Sequence, residues 1–326
     1  MEVKYKPKIF VHSWLSDDLL LKLKKNFNID HHDTKDSILA GKDLLDRVLD
    51  ADGILVQSSL IDKKLIESCP NLKVVSNVGV GFDNIDVEFC TKRGIQVTNT
   101  PGILNDAVAD MSMALLLAVA RRVPEGDKLV RTGGFKANFY HILWGADLKG
   151  ENLGIIGMGS IGQEVAKRAL PFGLNIKYHN RNRLSENIEN SLNAEWMSLI
   201  ELLQSCRFII ILCPLTNETK HLITIKEFQA MNNNSFLVNI ARGPIVKESD
   251  LIIALEKKLI SGCALDVYEF EPDYDIKLAK MDNVVLAPHA GSASVKTRKG
   301  MVELAKKNIE EFFLSKDVSN PVNTLN

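Results

Sequence analysis

The stretch NLGIIGMGSIGQEVAKRALPFG, residues 152–173, joins a short apolar run to a helical pattern through a glycine-rich turn. Three of its glycines, Gly157, Gly159 and Gly162, follow the spacing GxGxxG. Between a strand and a helix, the first glycine permits a tight turn, the second lets the backbone approach a pyrophosphate, and the third lets helix and strand pack closely. We therefore expect a dinucleotide to bind at this turn and at the helix N-terminus. The positions predicted to contact it are Gly157, Met158, Gly159, Ser160, Ile161 and Gly162.

Short apolar, β-branched runs alternate with helical patterns on both sides of this stretch. The runs are KIFVHS, DGILVQS, LKVVSNV, IQVTN, NLGIIGMG, NIKYHN, FIIILC, FLVNIA, CALDV and VVLAP. Strands separated by helices predict an α/β protein with parallel sheets covered on both faces. A chain of 326 residues, 45% of them hydrophobic, favours two domains.

Two helical patterns bear on how these domains divide the chain. After the break NTPG, residues 107–121 are apolar almost all round, so this helix needs burial on several sides, which an interdomain or subunit contact would supply. Residues 294–316 form one long amphipathic pattern after the last strand. A helix that crosses back there to pack on the N-terminal sheet would make the first domain discontinuous.

Composition excludes several classes of function. Forty basic and 41 acidic residues give a net charge of −1, so no global field would hold the protein on nucleic acid or an anionic membrane. The five cysteines are scattered without the close pair of a zinc or redox site, and no metal site is predicted. No apolar run approaches the ~20 residues of a membrane span, and the N-terminus lacks a signal sequence. We expect a soluble, cytoplasmic protein.

The strand that should close the glycine unit runs into NIKYHNRNR, residues 175–183. The position that would bind the ribose 2′-hydroxyl is Asn180, 180 − 162 = 18 residues after the last motif glycine, and the usual acidic side chain is missing. An acid would repel the 2′-phosphate of NADP, whereas Arg181 and Arg183 could pair with it. The stretch predicts a preference for NADP(H), with NAD(H) as the alternative. Another interpretation is that both arginines are only solvent-exposed residues of a loop.

Three charged or titratable residues follow later strands: Arg242 in NIARGP, Glu271 in LDVYEFEP and His289 in LAPHAGS. Ligands of open α/β sheets lie outside the carboxyl ends of the strands, so these side chains are expected to converge. Reduction of a 2-oxo acid needs a cation for the carboxylate, a proton donor at the carbonyl oxygen and a partner for that donor. Arginine, histidine and glutamate suit these roles in that order, because a carboxylate keeps a neighbouring imidazole protonated.

The order of these motifs resembles the D-isomer-specific 2-hydroxyacid dehydrogenase family, with gaps of 271 − 242 = 29 and 289 − 271 = 18 residues between the catalytic positions. The resemblance implies two doubly wound parallel-sheet domains, one Rossmann-like and one flavodoxin-like. It places a cofactor domain at 100–290 and a discontinuous substrate-binding domain at 1–99 plus 291–326. Members are typically homodimers joined through the cofactor domains.

The resemblance also implies individual roles. NVGVGFDNID, residues 77–86, looks like the family's substrate loop, in which the Val78 and Gly79 amides would bind a carboxylate as an anion nest; a plain strand-to-helix turn is the alternative. Asp266 matches the residue that holds the nicotinamide carboxamide, although a buried Asp at a strand end is more often a structural cap. Further positions that match the cofactor lining are Pro214, Ile240 and Ala241.

Within the family, CPLTNETKHLI, LVNIARGPIV and PHAGSAS look most similar to the glyoxylate and hydroxypyruvate reductases, a group that generally prefers NADPH. Trp144 resembles a tryptophan that the neighbouring subunit inserts into the substrate pocket in some of these enzymes; a core or interface tryptophan is equally compatible. We therefore expect an NADPH-dependent reductase of a small 2-oxo acid. The alternatives are a larger substrate, such as 2-ketogluconate or phosphohydroxypyruvate, and an NAD(H)-sensing corepressor.

Overall fold

The computed structural model describes residues 5–136, 139–315 and 317–325 and divides the chain into two compact units. The first unit combines the chain up to Leu104 with the segment from Ser294 onward, and the second is Asn105–Ala293. Each unit is built on one sheet in which all neighbouring strands are parallel.

The strands are β1 Lys8–His12, β2 Asn28–His32, β3 Gly53–Val56, β4 Val74–Asn77, β5 Gln96–Thr98, β6 Asn152–Ile156, β7 Asn175–His179, β8 Ala194–Trp196, β9 Phe208–Ile211, β10 Phe236–Asn239, β11 Gly262–Leu265 and β12 Val284–Leu286. The helices are α1 Asp17–Asn26, α2 Gly41–Val48, α3 Lys63–Glu67, α4 Val87–Lys92, α5 Asn105–Ala120, α6 Val123–Arg131, α7 Ser160–Ala169, α8 Glu186–Leu192, α9 Leu199–Ser205, α10 Ile225–Ala230, α11 Glu248–Glu256 and α12 Val295–Glu310. None of the helices in the described part of the chain is both long and apolar enough to cross a membrane.

The strand orders confirm the predicted fold class. The first sheet runs β2-β1-β3-β4-β5, which is the flavodoxin-like order. The second runs β12-β11-β10-β9-β6-β7-β8, which is the Rossmann order with one further strand at β12. In this second sheet the direction of winding reverses between β6 and β9, and such a switch point is where doubly wound folds bind ligands.

All ten predicted strands form, and two strands were missed. Both β2, with the sequence NIDHH, and β8, with the sequence AEW, are the outermost strands of their sheets. An outer strand is covered less completely, and neither of these contains a fully buried residue. Their polar sequences therefore lack the apolar run by which the inner strands were predicted.

The apolar helix α5 is buried mainly by its own unit. Half of its residues, among them Met113 and Leu116, are buried, and the helix packs against β10, β11, β12 and α7. Arg168 on α7 also forms ion pairs with Asp106 (2.7 Å) and Asp110 (2.6 Å) on α5. Contacts within its own unit thus cover half of this apolar helix, and a further interdomain or subunit contact stays a prediction.

Helix α12 packs on β3 and β4 of the first sheet. The buried Ser76 hydroxyl on β4 donates a hydrogen bond to the carbonyl of Ala305 (2.9 Å). Fully buried Asn308 donates to the carbonyl of Asn99 (2.9 Å) and accepts from Asn320 (2.9 Å). The α-helix ends at Glu310, and a π-helical turn at Glu311–Ser315 replaces the end of the predicted helix, whose last residue, 316, lies outside the described residues.

Replacing Asn308 with Ala tests the anchoring of α12 in the first unit. The substitution leaves the partly buried Asn99 carbonyl without its donor, so we expect the free energy of unfolding to fall by about 1–3 kcal/mol. Thermal and denaturant unfolding measure the change, with exposed Asn190→Ala on α8 as the control, expected within about 0.5 kcal/mol of wild type. Wild-type stability in the Asn308 variant would contradict this role.

Candidate active site

The glycine turn has the geometry that its sequence requires. Gly157 has φ of 105°, and a Cβ atom there would lie 2.4 Å from the backbone nitrogen of Cys213 at the end of β9. A Cβ atom on Gly162 would lie 2.5 Å from the Gly157 carbonyl oxygen, so only glycine lets α7 approach the turn. A Cβ atom on Gly159 would meet no described atom within 4 Å. The open side of the turn is therefore at Gly159, where the backbone is accessible to a ligand.

Helix α7 begins at Ser160 without a side-chain cap, and its first hydrogen bond runs from the Gln163 amide to the Gly159 carbonyl (2.9 Å). The amides of Ser160, Ile161 and Gly162 consequently have no acceptor within the helix. Such amides, at the positive end of the helix dipole, suit a phosphate. Met158 is fully buried beneath the turn. The cradle therefore fits the pyrophosphate of a dinucleotide.

Asn180 is bonded to the glycine turn. Its Oδ1 atom accepts a hydrogen bond from the Met158 amide (2.7 Å), and its carbonyl accepts one from Trp196 Nε1 (3.1 Å). Asn180 therefore holds the end of β7 against the turn without adding a negative charge.

The two arginines that follow differ in their contacts. Arg183 donates from Nε and Nη2 to the two carboxylate oxygens of Glu189 (2.8 and 2.7 Å), and Tyr178 also donates to Glu189 (2.5 Å). These hydrogen bonds, Arg183 first, lower the pKa of the buried Glu189 to about 2. The Arg183 side chain thus has a structural partner, a contact that the sequence did not reveal.

Arg181, by contrast, is exposed and forms no hydrogen bond or ion pair with any described residue. Hydrogen bonding by Thr216 lowers the pKa of Glu218, and the positive charge of Arg181 adds to that effect. Arg181 is therefore the arginine whose guanidinium remains available to a ligand phosphate.

Glu271 and His289 form a hydrogen-bonded pair. Nδ1 of His289 donates to Oε2 of Glu271 (2.8 Å), and the Tyr268 amide donates to Oε1 (2.9 Å). Burial alone would raise the pKa of the Glu271 carboxyl, but the hydrogen bond and charge of His289, the Tyr268 amide and the charge of Arg242 outweigh it and lower that pKa. The structure thus brings the three predicted residues together after β10, β11 and β12, which are adjacent in the sheet. The carboxylate stays ionised while His289, half exposed, faces solvent.

Asp266 holds the loop that carries His289. His289 has a left-handed backbone with φ of 52°, and its amide donates to the Asp266 carbonyl (2.8 Å). The buried carboxylate of Asp266 accepts from the amides of Ala290 and Gly291, both at 2.7 Å. Burial outweighs these bonds and raises the pKa of Asp266. Asp266 therefore forms the structural cap that the sequence analysis gave as its alternative role. Contact between Asp266 and the nicotinamide stays a prediction.

The loop before Arg242 is held by a residue that sequence reasoning missed. Buried Asn239 accepts from the Ala241 amide (3.2 Å) and donates to the Arg242 carbonyl (3.0 Å). Arg242 Nη1 donates to the Ala241 carbonyl (2.8 Å). A buried polar residue at the end of an apolar strand was the signal that could have identified Asn239. Ile240 is buried in this loop, and Pro214 is exposed just after β9.

In the first unit, the loop after β4 departs from one part of the prediction. The Val78 amide donates to the carbonyl of Val56 (2.8 Å), so it extends the ladder between β3 and β4 and is not available to a substrate. The Gly79 amide makes no hydrogen bond to a described residue. Helix α4 begins only at Val87, after a cap by Asp86, so the loop is longer than a plain strand-to-helix turn.

Hydrogen bonds fix three successive carbonyls of this loop. The carbonyls of Gly79, Val80 and Gly81 accept hydrogen bonds from the Thr100 amide (3.0 Å), Asn99 Nδ2 (2.8 Å) and Asn77 Nδ2 (2.7 Å), respectively. With three successive carbonyls bound, the amides of the same residues are the groups left for an anion. The candidate nest is therefore residues 79–81, one residue beyond the predicted position.

Trp144 is 74% exposed, and its Nε1 donates to the Tyr140 carbonyl (2.8 Å), so the core alternative is wrong. Other large apolar side chains are exposed in the same segment: Val123, Val130, Phe135, Tyr140 and Ile142.

Within the described residues, no group of three or more His, Cys, Asp or Glu side chains could hold a metal ion.

Comparison with known proteins identifies the family. Residues 113–291 match the family D-isomer specific 2-hydroxyacid dehydrogenase, NAD binding domain. A glyoxylate reductase of Pyrococcus horikoshii is 44% identical over 312 residues, 94% of this chain and 93% of that protein. Another, from Thermococcus litoralis, is 43% identical over 323 residues, 98% of this chain and 97% of that protein.

A solved structure extends the comparison to the fold. The NADPH-dependent glyoxylate/hydroxypyruvate reductase of Sinorhizobium meliloti, in complex with NADP and malonate, aligns with a TM-score of 0.87 and 32% identity. The alignment covers 98% of this chain and 97% of that one. Because the family match and these relatives together span nearly the whole chain, the protein belongs to the D-isomer-specific 2-hydroxyacid dehydrogenase family.

Proposed function

We propose that this enzyme reduces glyoxylate or hydroxypyruvate to the corresponding D-2-hydroxy acid with NADPH. The observation that carries the proposal is the hydrogen bond between Glu271 and His289, at 2.8 Å, beside the charge of Arg242. The relatives named glyoxylate reductase support a small 2-oxo acid over larger ones such as 2-ketogluconate. The D configuration follows from the family.

His289 acts as the proton donor. Since a carboxylate can only accept, the bond to Glu271 fixes a proton on Nδ1 and leaves Nε2 to give its proton to the substrate carbonyl oxygen. Glu271, ionised because its pKa is lowered, stabilises the doubly protonated imidazole before transfer. When bound, the nicotinamide cofactor supplies the hydride for the carbonyl carbon.

Arg242 orients the substrate. The guanidinium keeps its charge at every relevant pH and can pair with the carboxylate while polarising the ketone. For the loop after β4, the role in substrate binding that the resemblance implies rests on the Gly79 amide, the member of the predicted Val78–Gly79 pair that has no acceptor among the described residues.

The cofactor proposal depends on the end of β7. Asn180 places no negative charge near the ribose, and Arg181 offers a guanidinium for a 2′-phosphate. Arg183 contributes mainly by holding the loop through Glu189. Asp266, Pro214, Ile240 and Ala241 complete the proposed cofactor lining.

We also propose a homodimer in the cytoplasm. The exposed apolar side chains of residues 123–144, Trp144 among them, offer a surface for a second copy. All five cysteines are buried and unpaired, which fits a reducing compartment.

Substitution of Glu271 tests the catalytic pair. Glu271→Gln removes the carboxylate charge next to the imidazole of His289, so kcat for glyoxylate reduction should fall about 10²-fold. His289→Ala should lower kcat by about 10²–10⁴-fold, while NADPH binding, followed by fluorescence, is retained. Unchanged kcat in Glu271→Gln, or normal turnover without His289, would remove the pair from the mechanism.

Substitution of the two arginines tests the cofactor assignment. Arg181→Ala should raise the KM for NADPH about ten- to a hundredfold, because a hydrogen bond to a charged group is lost, with the KM for NADH and the Tm unchanged. Arg183→Ala is the matched comparison; it leaves the buried Glu189 carboxylate unpaired and should lower the Tm instead. An unchanged KM for NADPH in Arg181→Ala would show that this arginine does not bind the 2′-phosphate.

A further inference from the structure

The loops that carry Arg242 and Glu271 are in direct backbone contact. A Cβ atom on Gly243 would lie 1.8 Å from the carbonyl oxygen of Tyr268 and 2.5 Å from the amide nitrogen of Glu269. Only glycine can therefore follow Arg242 at this contact, and a shift of one loop must displace the other.

His221, on the connection between β9 and α10, is bonded to both loops. Its amide donates to the carbonyl of Pro244 (2.8 Å), two residues after Arg242. Its Nε2 donates to Oε1 of Glu269 (2.6 Å), two residues before Glu271. A left-handed backbone, with φ of 53°, lets this one residue reach both partners.

Glu269 is in turn fixed to the start of α11 by reciprocal hydrogen bonds. The Glu248 amide donates to Oε2 of Glu269 (2.8 Å), and the Glu269 amide donates to Oε2 of Glu248 (3.2 Å). The other oxygen of Glu248 accepts from the Asp275 amide (2.8 Å). The segment that carries Glu271 is thus tied at both ends, at residues 269 and 275, to one helix N-terminus.

Both acidic residues are largely covered: the Glu269 side chain is 11% exposed, and Glu248 as a whole residue is 7% exposed. Burying two acidic groups costs free energy that an apolar contact would avoid. The bonds they form, however, are directional, and they end on His221, on the segment that carries Glu271 or on α11.

We propose that His221 and Glu269, supported by Glu248, are positioning residues that set the placement of Arg242 relative to Glu271 and His289. The proposal rests on the proposed reductase function. None of the three positioning residues touches the reacting atoms in this scheme; they act by holding the two loops in register. Loss of the hydrogen bond between His221 and Glu269 should therefore lower kcat/KM for the 2-oxo acid and leave NADPH binding intact.

The test compares His221→Ala and Glu269→Ala with two further variants. Glu269→Gln keeps the side-chain length and can bond the Glu248 amide through its oxygen and neutral His221 through its NH₂ group. Glu256→Gln is the matched control, because it removes an exposed ion pair (4.0 Å to Lys277) between the same helix and the segment following residue 275.

Both alanine variants should lower kcat/KM for glyoxylate about ten- to a hundredfold through misplaced loops, with an unchanged KM for NADPH. Glu269→Gln should recover most of the loss, and Glu256→Gln should match wild type. Hydrogen exchange at the Asp275 amide should be faster in Glu269→Ala than in wild type. If Glu269→Ala does not fold, His221→Ala and Glu269→Gln still carry the comparison.

Unchanged kcat/KM in His221→Ala and Glu269→Ala, on an active wild type, overturns the proposal. Equal losses in Glu256→Gln also overturn it, since the effect would then be general. A wild type inactive with every 2-oxo acid would instead refute the proposed function. In that case the exchange rate of the Asp275 amide still tests whether Glu269 and Glu248 hold the segment that carries Glu271. A rate equal to wild type in Glu269→Ala overturns that part of the proposal.

Discussion

Parallel pairing of the strands in the second unit is the constraint from which the site follows. Since neighbours in the sheet from β6 to β12 all run in the same direction, their carboxyl ends reach one edge. Side chains far apart in the chain, such as those of Asn180, Arg242 and His289, therefore follow strands that end on the same side. The chain returns to the opposite edge of the sheet through a crossover, which in most cases is a helix. The glycine turn begins one such crossover, α7, next to the switch point of the sheet.

The loops at this edge hold conformations that an isolated chain would rarely adopt. His289 has a left-handed backbone, which costs about 1–2 kcal/mol for a residue other than glycine. The buried carboxylate of Asp266, with bonds to two successive amides, offsets that cost and fixes the loop. Glu271 then needs no rearrangement to bond His289, because its own loop is anchored through Glu269 and Glu248. Buried carboxylates near the site thus accept hydrogen bonds from backbone amides and fix the loops. Glu271, by contrast, accepts a hydrogen bond from the exposed imidazole of His289.

Sequence patterns predicted those features that depend on local order. The apolar runs located ten strands, and the motif spacing located the glycine turn, Arg242, Glu271 and His289. The outer strands β2 and β8 were missed because they need little apolar surface. Contacts between distant polar residues were also invisible: nothing local reveals that Arg183 pairs with Glu189, that the Val78 amide is used by Val56, or that His221, Glu248 and Glu269 meet. Such contacts depend on which loops the parallel topology brings together, and no periodicity records them.

The proposed function requires this edge of the sheet to bind NADPH and direct its hydride to a small 2-oxo acid. The most direct measurement mixes the purified protein with glyoxylate or hydroxypyruvate and follows nicotinamide absorbance, with NADPH and NADH in parallel. We expect NADPH to be oxidised rapidly and in preference to NADH, because Asn180 and Arg181 lie at the end of β7. Preference for NADH would contradict the cofactor assignment, and no oxidation of either cofactor would contradict the reductase assignment itself.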